Sequence, residues 1–246
     1  LVDLFSNVPA AAQSTVVREL QLSGMSLLTP GMTLGPIEGK LEFARAGELE
    51  RAWFAMDEQK ITAVLLPLPG RHFSVKVQAR AWTPPQFPQM PLDDLQVEGV
   101  LGEQDFIAQK FAVALRGIRV AGSGKVEFSD GWRVQTALTQ IDAPLEQVMA
   151  LLEKPVELTG TISAKGALSG KAGTLGALKD NFRFSGEVLV SRATARIAAG
   201  LRHPLVFDQI KARVVVQPEH LELNALEVRL YGGKLSGTMS INRKDA

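Results

Sequence analysis

The stretch from Leu221 to Ile241 reads LELNALEVRLYGGKLSGTMSI, and it decides the fold. Apolar and polar side chains alternate on both sides of the pair Gly232-Gly233. A period of two places the apolar side chains on one face of an extended chain and the polar side chains on the other. A glycine pair between two alternating runs is typical of a tight turn. The stretch therefore predicts a β-hairpin with one apolar face.

The same alternation recurs along most of the chain. Its clearest runs are residues 75–80, 156–163, 182–190, 226–231 and 234–241, and Gly, Pro, Ser and Asp turn signals separate them. Short strands with tight turns between them favour consecutive hairpins and hence an antiparallel sheet. We predict a mainly β fold in which repeated antiparallel β-hairpin modules form a long curled sheet, a β-trough, with one or two short helices.

Helical periodicity is scarce in this sequence. The best candidate runs from Asp142 to Glu153, with Asp142 as the N-cap and Pro144 in the first turn. A second candidate spans Gly173 to Asp180, and the opening stretch from Val2 to Glu19 is either a helix or loose chain. We expect such helices to lie on the sheet or across its end.

The segment from Trp82 to Pro91 contains four prolines and cannot join a strand ladder, so it must be a connection. We take it as the seam between an N-terminal β-hairpin module, residues 1–91, and a C-terminal β module, residues 92–246. An internal repeat at an offset of 115 residues aligns Leu92-Asp93-Asp94-Leu95 with Phe207-Asp208-Gln209-Ile210. Later apolar residues and two glycines keep the same register, which indicates repeating hairpin modules.

The composition narrows the classes of function. Lys and Arg number 27 against 26 Asp and Glu, so the whole chain has no excess of positive charge to bind phosphates, and we expect no nucleic-acid partner. The absence of cysteine excludes disulfides and thiolate metal sites. No apolar run reaches the roughly 18 residues of a membrane span. Because the chain opens at Leu1 without a methionine, we expect an excised segment of a longer polypeptide.

No motif in the sequence predicts catalysis. The three histidines, His72, His203 and His220, lack the spacing of metal ligands. The run Gly122-Ser123-Gly124-Lys125 is not a phosphate loop, because Arg119 stands where the motif needs glycine and Val126 follows the lysine. We therefore expect no catalytic residue, no metal and no cofactor, and we predict that the protein is not an enzyme.

The apolar face of the strands is the remaining candidate site. Slender aliphatic side chains with few aromatics could leave a groove for acyl chains. The residues predicted to line it are Val113, Leu115, Leu226, Val228, Leu230, Leu235 and Met239. Burial of each methylene contributes about 0.8 kcal/mol, so a continuous apolar strip needs no polar clamp. The alternative is a closed β-sandwich that acts as a structural or partner-binding module.

The segment from Leu221 to Ile241 resembles the closing signature of the AsmA family. In that family a strand ending in Leu-Tyr-Gly-Gly turns into a second strand with a glycine in its middle. Earlier pieces of this chain follow in the family's order: the helix at 145–152, LTGTI at 158–162 and FSGEV at 184–188. The resemblance covers roughly residues 92–241, whereas the first 90 residues are similar in style.

The resemblance implies a periplasmic location and attachment to the inner membrane of a Gram-negative bacterium through an anchor that is absent from this chain. It implies a curled sheet with an apolar lining that binds phospholipid or another acyl lipid and supports outer-membrane biogenesis and envelope integrity. Envelope proteins are further partners that it implies. No catalytic residues carry over from the family.

Overall fold

A computed structural model describes residues 17–29, 32–84, 91–151, 157–178, 180–196 and 204–242. Strands hold 77% of these residues, whereas about a quarter is usual for globular proteins. The mainly β prediction is confirmed. Of the opening stretch from Val2 to Glu19, residues 2–16 lie outside the described part of the chain, and Glu19 begins the first strand.

The described residues form one antiparallel sheet of fourteen strands, which is open and in which the strands lie in chain order. The strands are β1 (Glu19–Thr29), β2 (Met32–Phe43), β3 (Leu49–Met56), β4 (Ile61–Leu68), β5 (His72–Trp82), β6 (Leu92–Leu101), β7 (Asp105–Leu115), β8 (Ile118–Glu127), β9 (Trp132–Pro144), β10 (Glu157–Ala172), β11 (Arg183–Arg196), β12 (Leu205–Gln217), β13 (His220–Leu230) and β14 (Gly233–Asn242). Chain order is what consecutive hairpins produce. The alternative closed sandwich would need two sheets, and the described strands form one.

Two short helices complete the described fold: α1 (Leu145–Leu151) and α2 (Leu175–Leu178). They confirm the two helical candidates in the middle of the chain, but the predicted start of the first is wrong. Asp142 and Pro144 are the last residues of β9. The Asp142 carboxylate accepts hydrogen bonds from Ser163 Oγ at 2.7 Å and from the side-chain amide of Gln140. Because these partners lie along and across the strands, Asp142 strengthens the sheet and does not cap the helix.

The 115-residue repeat is visible in the strand bounds. An offset of 115 superposes β7 on β13 and β8 on β14 without any change in length. Both hairpins turn through two residues of positive φ, Arg116 and Gly117 at 46° and 80°, and Tyr231 and Gly232 at 49° and 77°. Such pairs form the type I′ turn, which matches the twist of antiparallel strands. The turn thus lies one residue before the predicted glycine pair.

The chain divides into two compact units, residues 1–111 and 112–246. In the first unit the buried residues Leu41, Ala52, Leu65 and Val75 pair in turn across β2 to β5, so its core is a cross-strand row on one face. Trp82 at the end of β5 pairs with Leu92 at the start of β6. The proline-rich segment therefore connects neighbouring strands, and the domain boundary after residue 91 stays a prediction.

Candidate functional site

The seven residues predicted to line a groove belong to the second unit, and they lie at the end of β7 and on β13 and β14. The structure brings those of β13 and β14 together, because Val228 pairs directly with Leu235. Met239 pairs with Leu223, a β13 residue absent from the prediction. Directly paired residues of antiparallel strands point to the same face. In the strand order, β8 to β12 separate β7 with Val113 and Leu115 from β13.

The intervening strands supply apolar residues that the site prediction missed. Val228 pairs with Ile210, Ile210 with Val190, Val190 with Ile162, and Ile162 with Ala143. With Leu235 this row of side chains crosses every strand from β9 to β14. We call this side of β9 to β14 the apolar face. The alternation in residues 182–190 predicted such a face, but alternation cannot tell which strands are neighbours.

A second row on the apolar face contains two facing glycines. Leu223 pairs with Val214, Val214 with Gly186, and Gly186 with Gly166. A Cβ added to Gly186 would overlap the Lys165 carbonyl oxygen and would lie 2.9 Å from the Gly166 Cα. The backbones of β10 and β11 therefore approach too closely for side chains here. An open depression of about 510 Å³ lies at this glycine pair, lined by Leu138, Thr139, Lys165, Gly166, Gly186 and Glu187.

The apolar face becomes more exposed towards β14. Leu226, Val228 and Leu230 on β13 are half-buried, whereas Leu235 and Met239 on β14 are 63% and 42% exposed. Strand β14 ends the strand order, and all ten of its residues are exposed. Contiguous exposed apolar surface of this kind marks binding sites on proteins. The apolar face is thus accessible where the described sheet ends.

The opposite side of the same strands is polar and charged, and we call it the polar face. Lys165 Nζ lies 3.3 Å from a carboxylate oxygen of Glu187. The hydrogen bond from Lys165 is the main cause that lowers the pKa of the Glu187 carboxyl. Lys234 Nζ lies 2.7 Å from Glu227 and lowers the pKa of that carboxyl, to which Arg229 also donates. Charged side chains therefore lie on this face, whereas aliphatic side chains line the apolar face.

Two of the three histidines, His72 and His220, lie in the described part of the chain. His72 Nδ1 lies 3.3 Å from the Pro69 carbonyl oxygen, and His203 lies outside the described residues. His220 contacts Asn242 and Glu222, each at 2.9 Å. Across the described ranges no group of three or more His, Asp and Glu side chains could hold a metal ion. The run from Gly122 to Lys125 lies inside β8, so it forms extended strand and not a phosphate loop.

Comparison of the chain with protein-family models, with curated proteins and with solved structures finds no match. Neither described helix has the length and apolar character needed to span a bilayer. The function is therefore inferred from the apolar face itself.

Proposed function

We propose that this protein is a periplasmic AsmA-like segment that shields phospholipid acyl chains on its apolar face and has no catalytic role. One observation carries the proposal: the row of side chains from Ala143 to Leu235 is apolar on six successive strands. All described strands belong to a single open sheet, so none of them forms a second sheet over this row.

The length of the row fits an acyl chain. Neighbouring strands lie about 4.8 Å apart, so a row on six strands extends roughly 24 Å. One phospholipid leaflet is about 15 Å thick in its hydrocarbon part, half of a bilayer core. A single acyl chain can therefore lie along the row with all its methylenes on protein. At about 0.8 kcal/mol for each buried methylene, no polar clamp is required.

The lipid head group would remain in water in this arrangement. The rows of the apolar face described above contain no charged side chain that could fix a head group, so we expect loose selectivity among phospholipids. The resemblance of Leu221 to Ile241 to the AsmA signature supplies the rest of the proposal: a place in the periplasm, attachment to the inner membrane in the full-length protein, and a contribution to outer-membrane biogenesis and envelope integrity.

Native mass spectrometry tests the proposal directly. The protein is purified without detergent from a Gram-negative host, and lipids are extracted from the same sample. We expect phospholipid adducts on the wild-type protein and their loss from the double variant Val228→Asp with Leu230→Asp. A charged carboxylate at these positions would be desolvated by an acyl chain, which is unfavourable.

A matched control places the same chemistry on the other side of the sheet. Ala167 and Val206 lie on the polar face of β10 and β12, where they pair with Ser185 and Thr194. The double variant Ala167→Asp with Val206→Asp should keep its phospholipid. Circular dichroism must show that both double variants remain folded. A wild-type protein that carries no lipid, or equal loss from both variants, would refute the proposal.

The exposed edge at β14 favours a second candidate function, a module that binds a protein partner. An edge strand offers unpaired backbone groups to which an extended segment can add as a further strand. Leu235, Met239 and Ile241 would be covered by such a strand. A lipid-free wild-type mass, from a protein that unfolds cooperatively, would favour this candidate over the first.

A further inference from the structure

The nearly neutral chain hides a separation of charge between its two units. Residues 1–111 contain 9 Lys and Arg against 13 Asp and Glu, a net charge of −4. Residues 112–246 contain 18 Lys and Arg against 13 Asp and Glu, a net charge of +5. The second unit is therefore basic, although the chain as a whole carries +1.

Part of this positive charge is concentrated on the polar face of β10 to β14. Cross-strand pairs place Glu187 beside Arg213, Lys211 beside Glu227, and Arg229 beside Lys234. The five cations on these adjacent rows are all exposed, and two carboxylates offset them. We call the set the basic patch: Lys165, Lys211, Arg213, Arg229 and Lys234, with Glu187 and Glu227. Its net charge is +3, since the five cations exceed the two carboxylates by three.

We propose that the basic patch docks on the surface of an anionic phospholipid membrane. Each Lys or Arg close to such a surface contributes about 1 kcal/mol of attraction. Aliphatic side chains lie in and beside the patch: Leu189 pairs with Lys211, and Val215, in the row next to that of Arg213, pairs with Glu222. Basic residues interleaved with aliphatic ones suit the boundary between head groups and acyl chains. Charge complementarity and this mixture together point to a lipid surface.

A nucleic acid is the other polyanion that a basic sheet could bind, but the aromatic residues are in the wrong place. Sheet surfaces that bind single strands stack bases on exposed aromatic rings. On β10 to β14, Phe184 pairs with Leu168 and Phe207 with Leu230, which puts both rings on the apolar face. Tyr231 lies in the turn before β14. The basic patch therefore has no stacking platform among the described residues.

The inference stands apart from the proposed acyl-chain site because it concerns the opposite face of the same strands. A membrane held at the polar face would leave the apolar face free. The two interactions can consequently be separated by substitution, one face at a time.

Vesicle flotation tests the docking proposal. Vesicles of equimolar phosphatidylglycerol and phosphatidylcholine are compared with vesicles of phosphatidylcholine alone. We expect binding to the anionic vesicles, weakening as salt screens the charges. The double variant Lys211→Glu with Arg213→Glu should lower the partition coefficient by roughly 25-fold or more, since each cation removed accounts for about fivefold.

The matched control changes the net charge equally at two residues that do not belong to the patch. Arg45 lies in the turn between β2 and β3, and Lys110 lies on β7 in residues 1–111; both are exposed. Arg45→Glu with Lys110→Glu should change binding less than about twofold. The variant Val228→Asp with Leu230→Asp should also still float, which would separate this proposal from the acyl-chain site.

Three results would overturn the docking proposal. The first is equal binding to neutral and anionic vesicles. The second is an equal effect of the patch variant and the control variant. The third is tighter binding of the wild-type protein to a single-stranded oligonucleotide, measured by fluorescence anisotropy at the same salt concentration, because that result would make nucleic acid the partner of the patch.

Discussion

Gly166 and Gly186 face each other across β10 and β11, and their lack of side chains lets the two backbones come close. Gly237 also lies on the apolar face, where it pairs with Leu226, but a Cβ added there would meet no atom within 4 Å. The same residue type therefore serves close packing in the middle of the second unit and open surface at its edge. Period-two alternation places all three glycines on the apolar face, so the sequence does not show which of them are closely packed.

The contrast predicts different effects of the same substitution. Gly186→Ala should destabilise the protein by about 1–3 kcal/mol, because the backbone must shift to admit the new methyl group. Gly237→Ala should stay within about 0.5 kcal/mol of the wild type. Urea unfolding followed by circular dichroism measures both. Equal midpoints for the two variants would contradict the close approach at Gly186.

The β13–β14 hairpin is held at both of its ends. At the closed end Tyr231 and Gly232 make the type I′ turn. At the open end His220 pairs with Asn242 in register, and its ring contacts the side chains of Asn242 and Glu222. The hydrogen bond with Asn242 is the largest cause that raises the pKa of His220, and the hydrogen bond with Glu222 raises it further. The hydrogen bond with His220 in turn lowers the pKa of Glu222. The strand alternation predicted the hairpin, but not the side-chain contacts at its open end.

The raised pKa of His220 makes the stability of this hairpin depend on pH. A group with a raised folded-state pKa stabilises the fold below its ordinary value of 6.5, and this contribution is lost as the pH rises through the raised value. Glu222 contributes above its ordinary value of 4.5, and its contribution is lost as the pH falls through the lowered value. His220 and Glu222 together therefore stabilise the hairpin most between pH 4.5 and pH 6.5.

We expect His220→Gln to lower the melting temperature more at pH 6 than at pH 9. Thermal unfolding across this range, with His72→Gln as the matched histidine control, measures the difference. An NMR titration of the His220 ring should report a pKa above 6.5. A melting difference that grows with pH would have the wrong sign and would contradict the assignment.

Over the described residues as a whole, one sheet carries both candidate binding surfaces. Strand β12 illustrates the division, because Ile210 pairs with Val190 and Val228 on the apolar face, and Val215 pairs with Ser185 and Glu222 on the polar face. Acyl chains would use the first face, and an anionic surface would use the second. The charge that matters for the second face is local, which is why the nearly neutral total gave no indication of it.

An environment-sensitive apolar dye should report the open apolar face in the folded protein. We expect the dye to bind before any cooperative unfolding begins, because exposed apolar surface is favourable for it. Ile210→Ser should reduce the dye fluorescence by about half, since it places a hydroxyl in the middle of the row. Val215→Ser, on the same strand but the polar face, should leave the fluorescence unchanged. A wild-type protein without dye binding would indicate a covered face.

Much of the fold followed from periodicity and turn chemistry alone. The hairpin from Leu221 to Ile241, the 115-residue repeat and the two short helices were all predicted, because alternation and glycine placement act over a few neighbouring residues. The start of α1 was mispredicted. Asp142 is a good N-cap by residue type, but Ser163 and Gln140 bind its carboxylate in the sheet. A partner 21 residues away cannot be read from local pattern.

The sequence by itself determined the class of fold, the antiparallel hairpins and the apolar character of one side of each strand, since these depend on the order of residues within a strand. Tertiary structure alone decided that Val228, Ile210, Val190 and Ile162 form one row, that the sheet stays open, and that five cations share the opposite face. The physical reason is that hydrogen bonds between strands fix neighbours and register, and many pairings satisfy the same alternation.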